Sequence, residues 1–374
     1  MSSFLSKQSV ISSLYHQPVY IEQVLSTKNN IKNFNIILIK NKKDIIAIYP
    51  FYVVYENFDL KLGLVDLISV PMRKLRIFGN NFAFDNSCDF IDFNSYFKDA
   101  LDRYADHYDI GFLEAVPVGS TLISHFSCAN NNVRIDPIAK NPDNVWLLEF
   151  PESWDEYIGA MRYKTRYNLN CRVKKITCTF DGHVRLQRYR EVVDVEPFLF
   201  VLNDIYQHTW QAHAFGCFCR NSEEDRAKNV ALAELGALDC FALYVSGEAI
   251  AYLRGYQHKG IYYYEEIGYK KSWRKFAPGS VLNMLMLPIL FSDGNIKTLD
   301  FGYGDNDYKQ IFGNKFYSAH NIFLVKKWSL GAILSRLQHY LQSFYVKIRN
   351  LLLMLKMDKK IRFFLKGKKN VNHI

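Results

Sequence analysis

The chain has 374 residues, enough for one very large domain or two ordinary ones, and its 49% hydrophobic and 16% aromatic content excludes a disordered polymer. Forty-seven Lys and Arg against 37 Asp and Glu leave a net charge of +10, so the expected partner is anionic: nucleic acid, a phosphate-bearing donor or a lipid surface. Seven cysteines without framework spacing exclude a disulfide scaffold and point to reduced thiols in a cytoplasmic setting.

Residues 1–17 are polar and Ser-rich, and Met1 to Tyr20 shows no charged segment followed by an apolar one, so no signal peptide is expected. Phe34 to Ile39, the polar Asn41-Lys42-Lys43-Asp44, and Ile45 to Pro50 predict a β-hairpin, with Pro50 at a strand end. Ser95 to His107 carries Tyr96, Phe97, Ala100, Leu101 and Tyr104 at helical spacing, and Ile110 to Glu114 reads as a strand. This first lobe holds no chemical constellation; Asn80-Asn81 and Asp85 read as a loop.

Asn141-Pro142-Asp143-Asn144 marks a boundary, followed by a strand over Val145 to Phe150. One helix is then predicted, with Trp154, Ile158, Met161 and Leu169 on its apolar face and Arg162, Lys164, Arg166, Arg172, Lys174 and Lys175 on the other. That basic face is either a solvated surface or a dock for an anionic donor or acceptor. A second helix begins near Val193 and leads into His208, Trp210, His213 and Phe218. His208 and His213 are five apart rather than four, and Cys217 and Cys219 are too close for an ordinary zinc pair, so no metal is expected.

Cys240–Val245, Ala249–Tyr256 and Ile261–Tyr269, separated by Ser246-Gly247-Glu248 and by Gln257 to Gly260, predict an antiparallel meander. Glu266 then faces one side of the third strand and Glu265 the other. The basic turn Lys270 to Ser280 follows, and Val281 to Phe291 is apolar all round, a buried helix that Pro288 should kink. A strand feeding a basic turn and a helix N-terminus makes an anion site, to which Arg274 and Lys275 add charge. The next strand, Thr298 to Phe301, opens into Asp300-Phe301-Gly302-Tyr303-Gly304-Asp305-Asn306-Asp307-Tyr308-Lys309. Its two glycines permit close backbone approach, and its acids, phenol and amine suit either a reactive loop or a locally bonded acidic turn.

Beyond residue 328, Leu330, Leu334, Leu337, Leu341, Phe344, Ile348, Leu352 and Leu355 form an apolar stripe accompanied by ten Lys and Arg. The pattern suits a basic amphipathic helix on an anionic membrane, or a terminal helix packed on the body or on a partner subunit. No run of about eighteen uncharged apolar residues predicts a membrane span.

The order meander, basic turn, helix, strand resembles the GNAT acetyltransferase fold. More specifically, Trp154, Tyr157 and Arg166 on a basic helix, the Ala249-Ile250-Ala251 strand, the Pro278-Gly279 helix start and the Asp300–Lys309 motif resemble CelD-type acetyltransferases of cellulose biosynthesis, relatives of the Fem peptidoglycan aminoacyltransferases. The resemblance is strong over residues 145–313 and faint before them. It implies a mixed α/β fold of two tandem GNAT-like lobes, the first degenerate, at 18–144 and 145–328, with a basic amphipathic tail at 329–374. It implies an N-acyltransferase that takes an acyl group, acetyl in the simplest case, from acyl-CoA without a metal. The acceptor would be an amine on a small molecule or glycan, as in an amino sugar or a cell-envelope or polysaccharide precursor.

The family binds the coenzyme A pyrophosphate with Arg/Gln-x-x-Gly-x-Gly/Ala. The matching stretch here is Arg274-x-x-Ala277-Pro278-Gly279, in which Ala277 replaces a glycine and Pro278 removes a backbone donor. The implied donor site is Arg274, Lys275, Ala277, Gly279 and Ser280. An acyl carrier protein or a charged tRNA, used by relatives, would also suit a basic surface. Candidate bases are Glu266, Asp300 and Asp305, with Tyr308 as acid and Trp210, Tyr264, Gly302 and Lys309 toward the acceptor. The rival readings are a Fem-like transferase using aminoacyl-tRNA and a scaffold that binds an anionic envelope polymer; no DNA-binding motif is present.

Overall fold

A computed structural model of the chain describes residues 1–5, 10–11, 13–27, 31–42, 44–63, 65–78, 83–85, 93–120, 122–123, 132–138, 141–209, 212 and 222–354. It contains two compact units, each made of two stretches of chain: residues 1–29 with 143–319, and residues 30–142 with 320–374. The sequence reading cuts the chain in order, at 144/145 and 328/329; the observed units instead interlace.

In the first unit the labelled elements are α1 (Pro18–Ser26), β1 (Asp143–Glu149), α2 (Trp154–Ala160), α3 (Tyr163–Thr179), β2 (Val184–Tyr189), α4 (Val195–Gln207), α5 (Glu223–Glu234), β3 (Cys240–Val245), β4 (Glu248–His258), β5 (Ile261–Tyr269), α6 (Pro278–Ser292), β6 (Thr298–Tyr303) and α7 (Asp307–Phe312). The strand β7 (Lys315–Lys326) contributes its first half, Lys315 to Ala319, to this unit by antiparallel pairing with β1. The strand order is β7-β1-β6-β5-β4-β3-β2, antiparallel throughout except for the β5–β6 pair. The meander, the basic turn, the buried helix and the closing strand thus occur in the predicted order. The basic turn is itself a 3-10 helix over Lys271–Phe276.

The helix expected from Trp154 to Lys175 is two helices. Met161 and Arg162 take extended ψ values of 145° and 132°, which ends α2 and starts α3 afresh. Ser153 caps α2 by accepting from the Glu156 N–H at 3.1 Å, and Asp155 and Glu156 lie in its first turn, where the helix dipole favours acids. Tyr157 is the residue that α2 buries; its hydroxyl donates to the Phe312 carbonyl at 2.7 Å. The face of the sheet that carries Phe241, Leu243, Tyr262, Tyr264, Leu299 and Phe301 packs on α3 and α6 in one core. α6 is apolar all round and contributes Val281, Leu282, Met286, Leu287 and Leu290 to it, with Pro288 inside the helix.

The second unit is built on long strands. Ile31–Asn41 pairs with Asp44–Leu62, which pairs in turn with Val65–Ile77 and with Ala83–Asp85. Val65–Ile77 then runs parallel to Ile110–Pro117. The predicted hairpin is present but longer, and Pro50 sits inside a strand, opposite Ile36, instead of at an end. Its carbonyl accepts from the Phe78 N–H at 3.0 Å, just past the end of the neighbouring strand, where a missing proline N–H breaks no ladder. The helix Phe93–Tyr104, the second half of β7 and the C-terminal helix α8 (Leu330–Met354) complete this unit. Both units are mixed α/β.

Gly268 on β5 is where the ring of Tyr252 lies: a Cβ added there would stand 2.5 Å from that ring. Tyr252 is wholly buried and its hydroxyl holds Glu266 at 2.8 Å, so the ring has no easy retreat. Gly268→Ala should therefore cost about 1–3 kcal/mol, read as a lower thermal midpoint with an unchanged denaturant slope.

Candidate active site

The site is organised by a short parallel pairing. β5 and β6 are hydrogen-bonded only where Ile261 to Tyr263 face Thr298 to Asp300. Beyond that point β5 continues along β4 to Tyr269, while β6 continues along β1. Tyr264, the first residue past the pairing on β5, packs against Phe301 and Tyr308 with ring centroids 5.2 and 5.7 Å away. It is buried, and its hydroxyl donates to Asn283 Oδ1 of α6 at 2.9 Å. The Asn283 side-chain nitrogen, also buried, has no hydrogen-bond partner. A buried amide N–H left unmet costs about 1–3 kcal/mol, so a donor is held ready beneath the parted strands.

A cationic pole forms at the start of α6. Ala277 takes the left-handed conformation (φ 50°, ψ 55°), which turns the chain into the helix at Pro278. The glycine that the resembled motif has there is thus explained by backbone geometry, and alanine adopts the conformation at a steric cost. Ser280 Oγ accepts from Arg172 of α3 at 2.9 Å, and Lys175 of α3 donates to the Lys275 carbonyl at 3.3 Å. Lys175 and Lys275 both lie over the Phe276 ring, at 5.4 and 5.0 Å. Arg274 and Lys275 are exposed. A Cβ on Gly279 would come within 3.2 Å of Ile267, a crowding that glycine avoids. Two α3 cations thus join the basic turn at the start of α6, where the Ser280 and Val281 N–H groups bond to the Ala277 carbonyl and Pro278 has none, which leaves the Gly279 N–H, an arrangement of positive charge suited to a phosphate. The orphaned amide and this cradle fit an acyl-CoA donor.

The acidic pole lies at the end of β6. Leu299 and Phe301 belong to the core beside α6, so Asp300 between them faces the other side of the sheet, directly across from Tyr263. Tyr263 stacks on Tyr256 of β4 at 4.7 Å, and the Tyr256 hydroxyl donates to that of Tyr15 at 2.5 Å. Burial pushes the Asp300 carboxyl above its ordinary range, against the pull of the Gly302 N–H at 2.7 Å and the nearby Lys309 charge. The Tyr263 and Tyr317 phenols are each pushed up to about 12, by burial first and then by the Asp300 charge. Lys309 is buried and spans the loop, donating to the Gly302 and Tyr303 carbonyls at 2.9 and 2.8 Å. Gly302 and Gly304 hold φ values of 72° and 102°, which only glycine takes freely.

The remaining predicted residues are distributed as follows. Asp305 is exposed, and its Oδ1 accepts from Trp146 Nε1 and from Gln310 Nε2, each at 2.8 Å. Tyr308, on α7, packs on the α6 side of the sheet, with its phenol pushed up to about 12 by burial. It therefore sits across the sheet from Asp300. Glu266 and Glu265 were expected on opposite faces, and the structure corrects this. A register shift at Arg254/Gly255 makes Glu266 the partner of Arg254 and Tyr264 the partner of Gly255, so Glu265 is an extra residue in a bulge. Both carboxylates now meet Arg254, at 3.0 Å for Glu265 and 3.3 Å for Glu266, and Asp225 joins them at 3.2 Å. Trp210 lies outside the described residues, as do Cys217, Cys219 and Asn80-Asn81. Among the described residues no group of three or more His, Cys, Asp or Glu could hold a metal. The residues missed by sequence reading are Tyr263, Tyr317, Trp146 and Asn283, which local periodicity marks only as core, whereas Arg172 stood on the basic face read as a solvated surface or a dock.

Two substitutions probe this geometry. Burial raises the folded Asp300 carboxyl above its unfolded value, so its contribution to stability is lost as pH rises through the folded value. Asp300→Asn should thus melt no lower than wild type at pH 7.5, with any advantage shrinking toward pH 4, in a pH series of thermal melts. Ala277→Gly relieves the left-handed strain and should leave stability unchanged or raise it by about 1 kcal/mol in a chemical denaturation series.

Residues 163–310 match the family described as the acetyltransferase (GNAT) domain. No curated protein sequence matches significantly. Among solved structures, FemX is similar at 12% identity, with a TM-score of 0.58 over 90% of this chain and 96% of that one. A C-terminal domain from Agrobacterium fabrum, whose name assigns it provisionally to lysylphosphatidylglycerol synthetase, is similar at 10% identity, with a TM-score of 0.51 over 90% of this chain and 92% of that one. A conserved protein of unknown function from Bacteroides thetaiotaomicron is similar at 7% identity, with a TM-score of 0.50 over 87% and 96%. These likenesses are of fold. Residues 163–310 are thus similar to the GNAT acetyltransferase domain, within a chain similar in fold to FemX.

Proposed function

We propose that the chain is an N-acyltransferase that moves an acyl group, in the simplest case acetyl, from acyl-CoA to an amine. The observation that carries this reading is the convergence of Arg172 and Lys175 on the basic turn that holds Arg274 and Lys275 at the start of α6, beside the stretch of β5 that lies past its pairing with β6. The cations and the Gly279 N–H hold the donor's phosphates, with Ala277, Gly279 and Ser280 forming the turn. The amine nitrogen bonds to the acyl carbon as the carbon–sulfur bond breaks. Its proton passes to a carboxylate and the leaving thiolate takes up a proton. Of Glu266, Asp300 and Asp305, we assign the base to Asp300. Its carboxyl is raised by burial, whereas Glu266 is held by Arg254 and Tyr252, and Asp305 is held by Trp146 and Gln310. Tyr308 serves as the acid from the α6 side, where Tyr264 also packs, and Gly302, held by Lys309, shapes the loop at the acceptor side.

The resemblance supports an acceptor that is an amino sugar or another amine of a cell-envelope or polysaccharide precursor, handled in the cytoplasm. A second reading, a Fem-like transfer from aminoacyl-tRNA, is favoured by one observation. Tyr163 and Tyr167 stack at 6.2 Å on the exposed face of α3, among Arg162, Lys164, Arg166 and Lys174, a surface suited to a polynucleotide.

Melting the purified protein with coenzyme A, acetyl-CoA and longer acyl-CoAs tests the reading. Ligand at a hundred times its dissociation constant should add about 2.7 kcal/mol of stability. Arg172→Ala combined with Lys275→Ala should abolish that shift. Asp300→Asn should keep it while slowing acyl transfer by about 10²–10⁴-fold. Stabilisation by aminoacyl-tRNA and by none of the acyl-CoAs would move the assignment to the second reading.

A further inference from the structure

The C-terminal helix α8 has two apolar faces. Its inward face is fully engaged within the second unit. Ala332 and Leu334 are buried, and Leu341 packs against the same core as Phe58, Leu60 and Phe323. Gln338 brackets Lys61, accepting from its N–H at 2.8 Å and donating to its carbonyl at 3.1 Å. The stripe expected from the sequence does not face one way: Leu334 and Leu341 turn inward, whereas Leu330, Leu337, Phe344 and Ile348 turn outward, with Leu352 and Leu355 outside the described side chains.

The outward stripe is Leu330, Ile333, Leu337, Tyr340, Phe344 and Ile348, with relative exposures from 36% to 69%. Steps of three and four residues keep it on one side of the helix. Arg336 and Lys347 are exposed and edge it on a helical wheel. Trp328, just before the helix, is 94% exposed. The hairpin end that Gln338 grips leads into the exposed Val65, Leu67 and Ile68. In sequence, residues 355–374 then add Lys356, Lys359, Lys360, Arg362, Lys366, Lys368 and Lys369 against the single acid Asp358.

We propose that this outward face of α8 is a docking surface for an anionic lipid bilayer, lying in the plane of the headgroups. The apolar stripe, the exposed tryptophan and the flanking cations are the three elements of an interfacial helix, and no helix among the described residues is long and apolar enough to cross a bilayer. Charge decides against a second copy as the occupant. A two-fold pairing of α8 with itself would set its cations against their own equivalents, whereas anionic headgroups complement them.

The test is co-sedimentation of the full chain with vesicles of phosphatidylcholine alone and of phosphatidylcholine containing about one-third phosphatidylglycerol. Binding should be about ten-fold stronger to the anionic vesicles and should fall as salt is raised. The triple variant Ile333→Ser, Tyr340→Ser, Phe344→Ser should lose about ten-fold in vesicle binding while keeping its thermal midpoint, because these side chains point outward. Equal sedimentation with both vesicle types, or with neither, overturns the proposal. So does a triple variant that binds as wild type, which would leave the cations alone as the cause. A dimer in light scattering that the triple variant dissolves, with no vesicle binding, would assign the face to a second copy instead.

Discussion

Three residue pairs of parallel ladder, Ile261 to Tyr263 against Thr298 to Asp300, are the constraint on which the site depends. Longer pairing would close the sheet; none would let the two strand ends drift. The length of this pairing is set from the side of β4. The register shift at Arg254/Gly255 inserts Glu265 into β5, bends that strand away from β6, and anchors the bend through an arginine that meets three carboxylates. Gly255 and Gly268 then make room for the buried rings of Tyr262 and Tyr252, whose hydroxyls hold the Asp239 carbonyl and Glu266. The bend is thus built of packed aromatic rings and paired charge and resists closure.

Opposite faces of the sheet divide the chemical groups between them. On the α6 side are Tyr264, Phe301, Tyr308 and Asn283, with the cationic start of α6 at the end of the turn that follows β5. On the other are Asp300, Tyr263 and Tyr256, walled by Tyr15 from the N-terminal stretch. Under the proposed function, a gap between strands is what lets a donor held on one side and an acceptor held on the other meet. Burial raises the Asp300 carboxyl, and burial together with its charge pushes up the Tyr263 and Tyr317 phenols beside it.

How much of this was legible follows from the range of each interaction. The meander could be read because Ser246-Gly247 and Lys259-Gly260 punctuate it. α6 could be read because it is apolar on every side. The break at Met161 and Arg162 carries no Gly or Pro, so periodicity ran straight through it. The bulge was invisible for a different reason: Gly255 marks it only once the partner strand is known. Arg172 reads as either a solvated or a docking cation because its partner Ser280 is 108 residues away. Lys309 reads as a ligand-facing amine, but two carbonyls of its own loop satisfy it, and an ammonium with such acceptors can be buried. The tail's stripe was visible as apolar periodicity, yet a wheel cannot tell which edge of a broad stripe the body will claim.

The interlacing of the two units has a consequence for how the chain is made. Synthesis from the N-terminus delivers residues 30–142 early, but the remainder of their unit, from 320 onward, emerges only after residues 143–319 have completed the other. The long strands from residue 31 on, with their apolar runs, must wait through the synthesis of residues 143–319 before α8 can cover Phe58 and Leu60. The last helix among the described residues thus covers a core whose strands were made long before it, and the nascent chain is most in need of a chaperone in that interval.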